Sequence, residues 1–269
     1  MRERGGSVSR HEPAAPGAPF DQERIDRYRR DGFLVVENVF EEAALAELRG
    51  AVEAAVAAES THREPESLSR YERIFDQKVN LWTRHPDVAV HARAAALGDM
   101  AAALEGCRMR IWHDQALFKA PHLADNRTPW HQDAVYWPHH DRWHATTIWI
   151  ALEDATIESG CMSFVPGSQG LGPLEPVALK NPADIFAQAP GLRDVTPVPC
   201  PLRAGSVTFH NGLTWHCAGA NRSEATRKAY AIIFMPDGTR YTGASHVLTD
   251  AMALDTGVPL AGSVFPSAG

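Results

Sequence analysis

Hydrophobic residues follow two rhythms along this chain, and the change from one to the other comes near residue 107. Ahead of it the spacing is helical. Residues 21–31 (DQERIDRYRRD) predict a polar surface helix, with Gly32 well suited to stop it because glycine enters the left-handed region freely. Leu45, Leu48 and Val52 recur at helical intervals within 41–58 (EEAALAELRGAVEAAVAA), which predicts a longer amphipathic helix. Between the two, residues 33–39 (FLVVENV) read as a strand. A second Ala-rich helix is predicted within 86–105, with Gly98 as its weak point.

Beyond Cys107 the apolar runs are short or alternating: 107–119 (CRMRIWHDQALFK), 145–152, 161–165, 206–210 and 229–235. Turn-rich stretches such as PGSQGLGP and MPDGT separate them. Helices followed by many short strands predict an α+β domain built around an antiparallel sandwich or jelly roll. No internal repeat interrupts this order. Residues 171–200 are Pro-rich and weakly patterned, so they are expected to be an inserted loop, a common place for a lid. Residues 1–19 are expected to be a disordered lead-in and 20–269 a single domain.

Composition narrows the partners. The 269 residues are 44% hydrophobic and carry 26 basic against 33 acidic side chains, a net charge of -7. That balance gives no electrostatic footprint for nucleic acid or an anionic membrane, and it favours a small-molecule partner. No stretch approaches the ~18 apolar residues of a membrane span, and the opening residues lack the apolar centre of a secretory signal. Cys107, Cys161, Cys200 and Cys217 form no C-x-x-C pair and read as free thiols in a reducing, cytoplasmic setting. Cys217 adjoins His216, but strand neighbours point to opposite faces, so it is expected to be structural. Oligomeric state leaves no mark in the sequence.

Chemistry concentrates in His131-Gln132-Asp133, followed downstream by His216 and, eleven positions later, by Arg227. Two imidazoles and one carboxylate are the ligand set of a mononuclear non-haem Fe(II) site with open coordination positions. A planar Arg fork can hold the far end of a dicarboxylate. The triplet alone carries little weight, because 13 histidines and 16 aspartates yield about one H-x-D by chance. Indeed His139-His140-Asp141 repeats the pattern. On a strand, however, His131 and Asp133 would project from one face and could chelate one ion, whereas PHHDRWH reads as a mouth loop. His216 ends the strand-like run SVTFHNGLTWH; His210 within that run is its competitor, as Arg222 is for Arg227.

These segments resemble the phytanoyl-CoA dioxygenase family of Fe(II)- and 2-oxoglutarate-dependent oxygenases, from about Phe20 to Phe234. DGFLVVENVF, WHQD, TTIWIALEDATIESGCMSFVPGSQG and HCAGANRSEATRKAY are similar to that family's motifs, in the same order. The resemblance implies a double-stranded β-helix (jelly-roll, cupin-like) core flanked by N-terminal helices. It implies His131, Asp133 and His216 as iron ligands and Arg227 on the distal carboxylate of 2-oxoglutarate. Trp149 and Gln115 fall at the implied cosubstrate pocket, and Lys119 in a K-x-P element. Strand alternation puts Gln115 and Lys119 on one face and Thr147 beside Trp149 on another, so Thr147 joins the cosubstrate group. Apart from the resemblance, the segment AVYWPHHDRWH offers Tyr136, Trp137 and His139, with His140 and Trp143, as substrate contacts or else as aromatics that wall the core or shape a loop. Two departures stand out. Gln169 replaces a frequent His and is expected to be a turn detail; Ala218 replaces a small hydroxyl residue, leaving one cosubstrate hydrogen bond absent or supplied elsewhere.

The activity so implied is oxidation of a substrate by O2, with 2-oxoglutarate converted to succinate and CO2; no concentrated Lys/Arg patch argues for a CoA thioester, which leaves a small metabolite or natural-product intermediate as the expected substrate. Related halogenases lack the carboxylate ligand, so Asp133 argues against halogenation. Hydroxylation is the expected outcome, and desaturation or cyclisation its variant. Two other classes share the ligand set. In a Zn(II) hydrolase Arg227 would have no evident task, and no further Glu base stands near the motif. The other is a non-catalytic cupin-like binding protein.

Overall fold

A computed structural model describes residues 19–60, 75–121, 126–177 and 185–269. The expected lead-in, apart from Pro19, lies outside the described residues. Helix α1 (Gln22–Asp31) begins where the Asp21 carboxylate accepts from the Arg24 N–H at 2.9 Å. It ends at Gly32, whose φ of 81° lets its N–H close on the Tyr28 carbonyl at 2.7 Å. A Cβ there would also stand 2.3 Å from Gln169 Oε1. Gln169 is therefore more than the turn detail expected of it: its Nε2 donates to the Arg29 and Arg30 carbonyls at 3.0 and 3.2 Å, tying the helix end to a distant loop.

Helix α2 (Glu42–Ser60) buries Leu45, Leu48 and Val52, the residues at helical spacing. The predicted Ala-rich helix is in fact two, α3 (Pro86–Ala92) and α4 (Ala95–Glu105), separated at the extended Ala94. Gly98 is not the break. It lies inside α4 where the C-terminal residues cross, and a Cβ would come within 2.5 Å of the Ala268 carbonyl carbon. The predicted strand over 33–39 stops at Val36, because Asn38 turns to a φ of 55°.

The strands follow in order: β1 (Phe33–Val36), β2 (Phe75–Val79), β3 (Met109–Lys119), β4 (Thr128–His131), β5 (Thr146–Ala151) and β6 (Met162–Phe164). Then come β7 (Val198–Cys200), β8 (Val207–Asn211), β9 (His216–Ala218), β10 (Arg227–Pro236) and β11 (Ser267–Ala268). Among the described residues, one sheet runs β1-β8-β5-β10-β3, with β2 and β11 sharing the outer edge of β3; the other runs β4-β9-β6-β7. The expected double-stranded β-helix with flanking helices is what this topology forms.

The large sheet is covered on both faces. From β5, Ile148 and Ile150 pack towards the helices, while Trp149 and Ala151 face the second sheet. From β10, Tyr230, Ile232 and Phe234 take the helix side and Ala229, Ala231 and Ile233 the inner side. Double coverage explains why these strands read as nearly unbroken apolar runs. Residues 171–200 are not simply a free loop. Val177, Ala189 and Leu192 bury against Val165 and Trp215, although residues 178–184 lie outside the described set. Among the described residues no helix is long and apolar enough to cross a membrane.

At the end of α4, Glu105 accepts hydrogen bonds from the Tyr28 hydroxyl and, at 3.2 Å, from Asn211 Nδ2, joining two helices to β8. Burial pushes its carboxyl up to about 7, against the opposing bonds from Tyr28 and Asn211 and the charge of His144. A raised folded-state value means that stability from this group is complete below its ordinary 4.5 and is lost as pH rises through about 7. Glu105→Gln should therefore leave the denaturant midpoint near that of wild type at acid pH and raise it at alkaline pH. Midpoints differing equally at both ends would contradict this account.

Candidate metal centre

Sheet register brings the two imidazoles together. His131 closes β4 and His216 opens β9; the two are direct cross-strand partners, with ring centroids 4.2 Å apart. Each Nδ1 meets a backbone carbonyl, His131 at Pro129 (2.7 Å) and His216 at Thr214 (2.8 Å). A carbonyl only accepts, so both Nδ1 atoms carry the proton and both Nε2 atoms keep a lone pair.

Asp133 reaches them by a different route from the one predicted. It is not on the strand with His131: β4 ends, and Asp133 adopts helical angles (φ -74°, ψ -49°) before a 3-10 turn over Ala134–Tyr136. The same-face argument therefore gives way to a turn, and Gln132 holds that turn. Its Nε2 donates to the Leu213 and Gly172 carbonyls at 2.7 and 2.9 Å, and its Oε1 accepts from the Leu174 N–H at 2.9 Å. The Ala134 N–H closes on the Gly212 carbonyl at 2.9 Å, an approach so tight that a Cβ at Gly212 would lie 2.9 Å from Ala134 Cβ. As a result Asp133 Oδ1 stands 3.4 Å from His131 Nε2 and 3.6 Å from His216 Nε2. One ligand atom from each residue lies within 4.8 Å of the others.

The second carboxylate oxygen faces the inner side of the large sheet. Thr147 Oγ1 donates to Oδ2 at 3.3 Å, and His210 Nε2 lies 3.4 Å away. His210, the competing ligand, thus stands beside the three-residue set, on the far oxygen of its carboxylate. Burial by itself would raise the Asp133 carboxyl, but the surrounding imidazoles of His216, His131 and His210 outweigh it and hold the group well below the usual range. Two oriented lone pairs and an ionised carboxylate on one side of a cavity suit a divalent ion with open positions.

That cavity, of about 280 Å³, lies between the sheets and is lined by the three donors together with Gln115, Thr147, Trp149 and Arg227. Arg227 opens β10 and is buried, with its guanidinium carbon 5.1 Å from the Trp149 ring centre. Among the described residues, its Nε and Nη1 have no hydrogen-bond partner. Burial lowers the group only to about 10, so it stays cationic at neutral pH. A buried cation without an anion is costly, which makes this corner a receptor for a negative group. Arg222, its competitor, is exposed and bonds through its backbone N–H to the Glu158 carbonyl.

The remaining expectations divide. Tyr136 and Trp137 line the cavity, whereas Lys119 and His139 do not. Lys119, the cross-strand partner of Arg227, donates to the Gly219 carbonyl at 2.6 Å, and burial followed by the nearby Arg227 charge pushes it down to about 6. His139 is buried against Trp112 and Trp137, with ring centres 4.4 and 5.6 Å away. Its sequence partner Asp141 instead holds the Trp143 N–H at 2.9 Å, so the second H-x-D triplet does not converge. His140 is exposed, and the exposed Trp143 covers Gly172. All four cysteines are free thiols, and neither Cys217 nor the others line the cavity. The lining residues that were not foreseen include two imidazoles, His113 and His246.

A family profile described as Phytanoyl-CoA dioxygenase (PhyH) matches residues 28–229. Phytanoyl-CoA dioxygenase domain-containing protein 1 of Mus musculus is 31% identical over 125 residues, covering 44% of this chain and 42% of that protein. The match thus spans less than half the length of this curated relative. Among solved structures, the non-heme alpha ketoglutarate dependent carbocyclase SnoK from nogalamycin biosynthesis superposes with a TM-score of 0.83 and 28% identity, covering 95% of this chain and 100% of its own. The epimerase SnoN, solved in complex with Fe3+, alpha ketoglutarate and nogalamycin RO, gives 0.78 and 28%, covering 92% and 98%.

The geometry assigns Thr147 a task at Asp133 that can be measured. Thr147→Val removes the hydroxyl donor with little change of shape, and loss of such an outer partner typically costs about 10–100-fold in metal affinity. Anaerobic Fe(II) titration should show a drop of that order. Unchanged affinity would mean that the carboxylate is oriented by other groups.

Proposed function

The chain belongs to the phytanoyl-CoA dioxygenase family, and on that premise we propose that it is an Fe(II)- and 2-oxoglutarate-dependent oxygenase acting on a small molecule. The observation that carries this reading is the Arg227 guanidinium, buried, partly unpartnered, and opening on the same cavity as His131, Asp133 and His216. A metal-binding protein or Zn(II) hydrolase needs the three donors but has no use for that cation.

In this reading His131 and His216 hold iron through Nε2 and Asp133 through its carboxylate, while Arg227 takes the far carboxylate of 2-oxoglutarate. The bound iron and cosubstrate supply the oxidising power, with O2 consumed and succinate and CO2 released as substrate is oxidised. The chain's own residues orient and exclude. Thr147 and His210 steady Asp133; Trp149 stacks on the guanidinium; Gln115 walls the cosubstrate side. Lys119 acts from behind, fastening the backbone at 218–219 next to Arg227. Tyr136 and Trp137 face the substrate, and His139 supports Trp137 by packing. Hydroxylation is the first outcome. Ring formation is the second, supported by the likeness to a carbocyclase. One oxygenase unit over 20–269 and a cytoplasmic setting belong to the same proposal, the latter supported by the free thiols.

Calorimetric titration of 2-oxoglutarate into the Fe(II)-loaded protein without oxygen tests the reading. Arg227→Ala should weaken binding by about 2–5 kcal/mol, the range for a buried charged pair left half unpaired. Equal affinity in variant and wild type would remove Arg227 from the cosubstrate site.

A further inference from the structure

At the other end of the cavity stand the two imidazoles that sequence reasoning missed. His113 lies on β3 in phase with Gln115 and Leu117, which also line the cavity. Its Nδ1 is 3.2 Å from the Asp114 carbonyl. Because a carbonyl only accepts, Nδ1 carries the proton and Nε2 is an acceptor. Burial lowers His113 to about 4, so it is neutral at physiological pH.

His246 has the opposite polarity. Its Nδ1 accepts the Leu248 N–H at 3.2 Å, so in the neutral ring the proton sits on Nε2, a donor. The residue is held in a small turn by Asp250, whose carboxylate accepts the His246 N–H at 2.8 Å and the Ser245 hydroxyl at 2.7 Å. That turn brings Val247, 79% exposed, to the cavity beside His246. Both imidazoles pack on Trp112, with ring centres at 6.0 and 5.2 Å. Among the described residues, neither Nε2 has a protein hydrogen-bond partner. Beside them the cavity is lined by Trp137, its ring centre 6.4 Å from that of His113, and by Ile233, the β10 partner of His113.

We propose that His113 and His246 are the substrate-orienting pair of this cavity, an acceptor and a donor that together hold a hydroxyl group on a planar aromatic ring. The proposal rests on the reading of the cavity as the chamber of an oxygenase. A hydroxyl satisfies both atoms, giving its proton to His113 and accepting from His246. An ether satisfies only His246, and a bare ring neither. Aromatic walls stack the ring, and the polar pair fixes which edge is turned towards the three metal-binding residues.

The test uses naphthol, its methyl ether and naphthalene, titrated calorimetrically into protein with and without Fe(II) and 2-oxoglutarate, in the absence of oxygen. Wild type should bind them in that order, each step on the order of threefold to tenfold, the worth of one hydrogen bond. His113→Phe should bring naphthol down to the ether. His246→Phe should bring the ether down to naphthalene while naphthol stays ahead. His113→Gln keeps an acceptor and should restore the naphthol preference, which a merely structural role for His113 would not do. Three equal affinities in wild type, or the same order surviving both Phe variants, would overturn the pair. Failure to take up Fe(II) and 2-oxoglutarate would instead strike the oxygenase reading, whatever the order of the three probes.

Discussion

The cross-strand pairing of His131 with His216 is the constraint on which the centre depends. The two residues are distant in sequence and meet only because β4 and β9 are neighbours in the smaller sheet. Their Nδ1 atoms are spent on carbonyls of their own strand ends, which fixes both rings and turns both lone pairs the same way. The third donor then has to come from the chain that leaves β4, and the Gln132 side chain bends it back by gripping two other loops. Asp133 thereby spans the gap between sheets, one oxygen towards the imidazoles and the other towards Thr147 and His210.

Charge follows from this placement. Asp133 is an anion among imidazoles, and Arg227 is a cation beside Lys119 in a region that solvates neither well. The chain resolves the second problem by pushing Lys119 towards its neutral form and by giving its amine a carbonyl. Arg227 keeps its charge and, among the described residues, lacks a hydrogen-bond partner for two of its nitrogens. A dianion that fills the cavity's inner end would satisfy the guanidinium and still leave its other end near the metal-binding residues. Among the described residues, the Arg227 guanidinium is thus an unfilled electrostatic demand on the cavity.

Much of the architecture was legible because periodicity reports burial. Leu45, Leu48 and Val52 face one way because α2 has a single buried side, and Gly32 ends α1 because a left-handed residue is needed there. The centre was legible in its membership, though the reasoning for Asp133 was wrong: spacing of two suggested a shared strand face, and a turn does the work. Nothing in the local sequence reports that turn, since its hold comes from Gly172, Leu174 and Leu213. Gln169 was misread for the same reason, its partners being about 140 residues away. His113 could have been found, because it shares the period-two phase of Gln115 and Lys119. His246 could not, because its segment has no regular pattern and only the folded turn carries it to the cavity.

His131 from β4, His216 from β9 and Asp133 from the turn after β4 stand together as the donors of one ion. Anaerobic Fe(II) titration followed by measured metal content decides whether they bind it. Wild-type protein should hold a single ion per chain, and His216→Ala, folded by circular dichroism, should hold none at the same free Fe(II). A His216→Ala protein that keeps its full complement of iron would contradict the account.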